Sequence, residues 1–112
     1  MTSFAKIKQA LSPFGIPFTT DFSGGGEDEY FTINEAGDTG GDFGDDDPAR
    51  NVVSLQVHWF LPSSEDYLHK KKQIRNAIYG AGCTYPQVAV ITDDELSVRH
   101  VIFECDAEED CI

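Results

Sequence analysis

The sequence predicts an α/β domain of the α+β kind: two helices packed on one face of a four- to five-stranded mixed, largely antiparallel sheet. Three observations carry that reading. Val53, Leu55, Val57, Trp59 and Leu61 alternate with Ser54, Gln56, His58 and Phe60, so this stretch is a long strand with one apolar and one mostly polar face. Tyr67, Leu68, Ile74, Ala77, Ile78 and Ala81 follow at near-helical spacing. Phe4, Ile7 and Leu11 repeat that stripe near the N-terminus. A strand with one greasy face beside two amphipathic segments yields helices laid on a sheet.

Each element has its local signals. Thr2 or Ser3 can cap the first helix, and Pro13 ends it, because the residue before a proline avoids helical backbone. A strand from Ile16 to Phe22 follows, placed near an edge by Pro17. Ser23-Gly24-Gly25-Gly26 is a break, and Tyr30 to Asn34 is a second strand. Pro62 closes the central strand. Ser63 then offers a hydroxyl to a helix with Glu65 and Asp66 in its first turn, the sign that suits a helix N-terminus. Gly80 and Gly82 stop that helix. Gln87 to Ile91 and Leu96 to Cys105 form a closing hairpin around Thr92-Asp93-Asp94-Glu95. The chain reads as one domain, 1–112, with a long acidic Gly/Asp-rich loop at 35–50 and an acidic tail at 106–112. Mutual repulsion among its carboxylates predicts an extended loop.

Composition narrows the function. An apolar content of 40% suits a folded domain rather than a disordered segment. No apolar run approaches the roughly 20 residues that cross a membrane, and the N-terminus lacks the basic-then-apolar build of a signal peptide. Twenty acids against eight bases give a formal charge of −12, which argues against non-specific binding to nucleic acid or anionic membranes. The bases concentrate on the central helix, as Lys70, Lys71, Lys72 and Arg75, and the acids at 21–47 and 104–110. Opposite signs on separate parts of one small domain suit self-association or a complementary partner.

Motifs with catalytic or ligand-binding spacing are missing. His58, His69 and His100 fall in no nucleophile elbow or HExxH, and nothing pairs a nucleophile with a base. Cys83, Cys105 and Cys111 show neither CxxC nor Cys/His spacing, and free thiols are the expectation. Around Asp42, Asp45, Asp46 and Asp47 the EF-hand register fails. The triple glycine is followed by acids rather than Lys-Ser/Thr, which is wrong for phosphate. Neither cofactor nor metal is expected. Phe60 is the exception on the polar side of the central strand, and suits an interface with another subunit.

The order of pieces, with Leu11-Ser12-Pro13-Phe14-Gly15-Ile16-Pro17, Tyr30-Phe31-Thr32-Ile33-Asn34, Asp66-Tyr67 and Arg99-His100-Val101-Ile102-Phe103, resembles the tail-terminator (tail completion, or tail-to-head joining) proteins of long-tailed phages and prophages. The likeness runs over nearly the whole chain and rests on element order and texture rather than on an invariant motif. It implies a structural protein without catalytic residues. It also implies a homo-oligomeric ring, typically a hexamer, that caps the tail tube and meets the head connector, with DNA only as passing cargo. The place of action is then the virion tail, assembled in the host bacterial cytoplasm. A head-to-tail ring pairs two different patches on each subunit. Lys70, Lys71, Lys72 and Arg75 against Asp42, Asp45, Asp46 and Asp47 are candidate patches, with Phe60 as a candidate apolar contact. The alternative from a different class is an acidic binding module or inhibitor that mimics nucleic-acid charge.

Overall fold

The computed structural model describes residues 3–19, 28–44 and 47–110. Two helices and four strands follow in the order α1 (Ser3–Leu11), β1 (Tyr30–Gly44), β2 (Asp47–Pro62), α2 (Leu68–Gly80), β3 (Gln87–Asp93) and β4 (Val98–Asp110), with a 3-10 turn at Ser12–Phe14. The strands form one antiparallel sheet in the order β1-β2-β4-β3. The architecture is therefore α+β, as the sequence predicts.

The core follows from the alternation in β2. Val53, Leu55, Val57, Trp59 and Leu61 are all buried, and four of the five are 1% exposed or less. Register places Phe31 and Val101 beside Trp59, Phe103 beside Val57, and Cys105 beside Leu55. Directly paired residues share a face, so these side chains form one continuous apolar surface. Ile7 and Leu11 of α1 and Ile74 and Ile78 of α2, each fully buried, belong to the same cluster. At roughly 25 cal/mol per Å² of apolar surface removed from water, burial of this kind is the main favourable contribution to folding.

The sheet differs from the expectation in several places. It is not mixed, because its only parallel element among the described residues is an isolated bridge between Phe18 and Phe31. Of the strand expected from Ile16 to Phe22, the described residues, 16–19, contribute that bridge. Phe31 donates its N–H to the Pro17 carbonyl and accepts from Thr19 N–H at one edge of β1. Pro17 itself has no N–H to give to a ladder. Residues 20–22 and the triple glycine lie outside the described residues.

The largest difference is at 35–50. Instead of a loop, β1 and β2 run on as a hairpin, paired from Tyr30↔Phe60 out to Gly44↔Asp47, with one register shift between Glu35 and Gly37. β4 follows beside β2 as far as Arg50↔Asp110, where a fraying acidic tail is expected. Asp and Gly are poor strand formers. Here, however, the backbone of each strand is paired along its length, and ladder hydrogen bonds override composition. Asp42 and Asp47 lie on strand backbone near the hairpin end, while Asp45 and Asp46 lie outside the described residues.

The helix ends are also adjusted. α2 starts at Leu68 rather than near Ser63, with Asp66 Oδ1 accepting from Leu68 N–H at 3.2 Å. Asp66 thus acts as an acceptor just ahead of the helix, not as a residue of its first turn. At the other end Gly82 takes φ +102°, the left-handed backbone that glycine permits, and the helix stops as expected. The closing hairpin turns two residues later than predicted, because Asp93 Oδ1 accepts from both Glu95 and Leu96 N–H at 3.1 Å.

Because β2 organises the core, Leu55→Ala is expected to lower unfolding free energy by about 2–5 kcal/mol in urea titration. Leu96→Ala, at a residue 72% exposed, is expected to change it by less than about 0.5 kcal/mol.

Candidate functional site

The second face of the sheet is not simply polar. Register aligns Tyr30, Phe60, His100 and Ile91 in one row across all four strands, and Thr32, His58, Ile102 and Ala89 in the next. Tyr30 stacks on Phe60 with ring centroids 4.7 Å apart, and Phe60 stacks on His100 at 4.1 Å. Tyr30, Thr32 and His58 are all buried.

Within this stack runs a hydrogen-bonded chain whose direction can be worked out. Asn34 Nδ2 donates to Gln56 Oε1 at 3.3 Å, leaving Asn34 Oδ1 as the acceptor from His58 Nε2–H at 2.5 Å. Neutral His58 then has an unprotonated Nδ1, which accepts from His100 Nε2–H at 2.7 Å. Both imidazoles are neutral in this arrangement. Burial pushes the His58 pKa down, and burial together with the neighbouring His58 lowers that of His100 to about 4. An imidazole so depressed is a weak base at neutral pH. Ser97 and His100 line a common groove, yet no hydrogen bond joins them among the described residues.

That groove has a volume of about 520 Å³, and its walls include Asp28, Tyr30, Phe60, Ile91, Asp93, Leu96 and His100. Its floor is the aromatic row; among the described residues its charged members are the two carboxylates, and no lysine or arginine contributes to its wall. Ser97, in the turn above it, has φ +54°, an unusual value for a residue with a Cβ. Among the described residues, no group of three or more His, Cys, Asp and Glu side chains is placed to hold a metal ion.

The structure places the sequence-derived candidates as follows. Phe60 is half-buried in the stack between Tyr30 and His100 and lines the groove. Lys70 reaches Glu29 at 3.3 Å and lies 5.9 Å from the Trp59 ring centroid; Glu29 in turn accepts from Trp59 Nε1–H at 3.0 Å. Lys71 lies over Tyr67, and Arg75 donates to the Pro86 carbonyl at 2.7 Å while stacking on Tyr85. Lys72 alone of the four is exposed with no partner among the described residues. The ion pair of the basic helix face is thus made with Glu29, while the side chains of Asp42 and Asp47 lie outside what the structure describes. Cys83 and Cys105 are free and buried; Cys111 lies outside the described residues. Sequence alone does not reveal the histidine chain or the groove; its one signal is Phe60 on an otherwise polar face.

Neither protein-family models nor curated proteins match this chain.

Two outcomes follow from the site. In the unfolded chain imidazoles titrate near 6.5, whereas here both are depressed. Lowering the pH therefore protonates the unfolded chain first. Stability is fully present above about pH 6.5, falls as the pH drops toward about 4, and levels off below that. The loss expected for His100, allowing for solvent that still reaches the ring, is about 1–2 kcal/mol. Urea titrations between those pH values measure it, and His100→Gln should flatten the slope. Thr32 Oγ1 is buried with no partner among the described residues. Thr32→Val should therefore raise stability by about 1 kcal/mol, and a loss in the same titration would show that the hydroxyl is satisfied.

Proposed function

We propose that the protein is a structural assembly component that works by binding copies of itself, acting as a tail terminator of a long-tailed phage or prophage. On this reading it forms a ring, of hexameric size by family resemblance, that caps the tail tube and presents a surface to the head connector. The observation that carries the reading is the distribution of exposed apolar side chains. Leu68 and Tyr79 on α2, Val90 and Ile91 on β3, and Leu96 in the following turn are each 39% exposed or more. On a small acidic domain, large apolar groups at two separate places are the mark of protein–protein surfaces. β3 also ends the sheet, leaving one side of its backbone unpaired by the other strands.

That Ile7, Leu11, Ile74 and Ile78 share one core cluster with the odd-numbered residues of β2 supports the layering that the tail-terminator resemblance implies. The tail tube protein and a head-tail connector protein are the partners on this reading, DNA passes through as cargo, and the virion tail is the site of action. No helix among the described residues is long and apolar enough to cross a membrane. Catalysis plays no part in the proposal.

One observation favours the acidic binding module as a second reading. The backbone that carries Asp38, Asp42 and Asp47 is paired strand, and β4 brings Glu108, Glu109 and Asp110 alongside the same hairpin. Acids on paired strands suit an array that imitates nucleic acid better than acids on a free loop would.

Light scattering after size exclusion, with and without purified tail tubes, and electron microscopy of the mixtures test the proposal. Rings at one tube end and arrested tube growth are expected. A protein that leaves tube ends bare and growth unchanged, but displaces DNA from a basic partner, would establish the second reading instead.

A further inference from the structure

We infer that the outward strip of α2 in one copy, formed by Leu68, Lys72 and Tyr79, seats in the Phe60–Leu96 groove of a second copy. The inference rests on the self-assembly reading and names the surfaces that would carry it.

The strip follows from helix geometry. At 3.6 residues per turn, positions 68, 72 and 79 lie within about 40° of one another, turned about 80–160° around the helix from the buried Ile74 and Ile78. Leu68 is 60% and Tyr79 57% exposed. Lys72 stands between them, and its neighbours Lys70 and Arg75 are already engaged within the molecule. The strip therefore offers two apolar groups and one uncommitted cation.

The groove is its complement. Phe60, Ile91 and Leu96 supply apolar wall, and among the described residues Asp28 and Asp93 supply the formal charges. Asp93 is held in place by accepting two backbone N–H groups through Oδ1. Two carboxylates at the rim of an apolar cleft without a local cation attract an ammonium group more strongly than exposed carboxylates do. The chain carries a net −12, so copies repel one another in general and approach is favoured only where opposite charges meet. Lys72 against Asp28 and Asp93, with Leu68 on the apolar wall, supplies such a place.

A contact between two different surfaces is head-to-tail. It leaves an unused strip at one end of every open chain of copies and an unused groove at the other, so it closes into a ring or grows as a filament. That property makes it testable by mixing. Sedimentation velocity would be run over a concentration series on the wild type, on Leu68→Asp, on Leu96→Asp and on an equimolar mixture of the two variants. Both substitutions replace exposed side chains, and circular dichroism with thermal melting checks that each variant is folded. The wild type is expected to form higher oligomers. Each variant alone is expected to associate about tenfold or more weakly. The mixture is expected to stop at a heterodimer, joining the intact strip of Leu96→Asp to the intact groove of Leu68→Asp. Lys72→Glu should weaken assembly in the same way, and adding Asp28→Lys should recover it.

A wild type that stays monomeric throughout overturns the inference, as does a variant that assembles normally or a mixture without heterodimer. Failure of Asp28→Lys to rescue Lys72→Glu removes Lys72 from the groove. If both Asp variants still form rings on tail tubes, the tail-terminator reading stands and this interface falls. If strip and groove join as described but tubes remain uncapped, the interface stands and the tail-terminator reading falls. Capture of a basic protein by the groove in place of a second copy also overturns it.

Discussion

The apolar face of β2 is the constraint on which the remaining structure depends. Val53 to Leu61 cannot be left in water, and the strand is central in the sheet, so both neighbours and cover are required. β1 and β4 supply the neighbours through Phe31, Val101, Phe103 and Cys105; Ile7, Leu11, Ile74 and Ile78 supply the cover. Once the register is set by this face, the opposite face is set too, because side chains alternate strictly along a strand. The aromatic row, the histidine chain and the groove are consequences of packing that was determined on the other side.

This explains why some of the fold was legible in the sequence and some was not. The alternation in β2, the stop at Gly80 to Gly82 and the existence of the closing hairpin depend on local spacing, which a single chain displays openly. The buried state of His58 does not. It requires Tyr30, Phe60 and His100 to be brought alongside by pairing between distant strands, and alternation alone marks His58 as polar. The hairpin at 35–50 was obscured for the opposite reason. Its composition spoke clearly for a loop, and the competing stabilisation came from ladder hydrogen bonds that have no local sequence signature. The basic helix residues were recognised as a patch, yet their partners Glu29, Trp59, Tyr85 and Pro86 are scattered along the chain.

The candidate functional surfaces are arranged by the same division of labour. One face of the sheet is consumed by folding, so the self-contact proposed above uses what is left: the far side of α2, the free edge of β3 and the cleft above the aromatic row. The neutral imidazole pair fits this arrangement. A charged group in that position would require its own counter-ion, whereas two neutral rings satisfy each other and leave the carboxylates of Asp28 and Asp93 available to an incoming cation.

The length of β2 has a separate consequence. Sixteen residues of strand reach about 50 Å, whereas the thirteen of α2 cover about 20 Å. The molecule measures 53 × 23 × 22 Å, and its radius of gyration of 15.2 Å exceeds the roughly 13 Å usual for such a chain. Among the residues whose side chains are described, the packed cluster runs along β2 from Val53 to Leu61. Amide protons of that stretch exchange only when the whole domain opens, so hydrogen exchange followed along this one strand reads out the global opening of the domain directly.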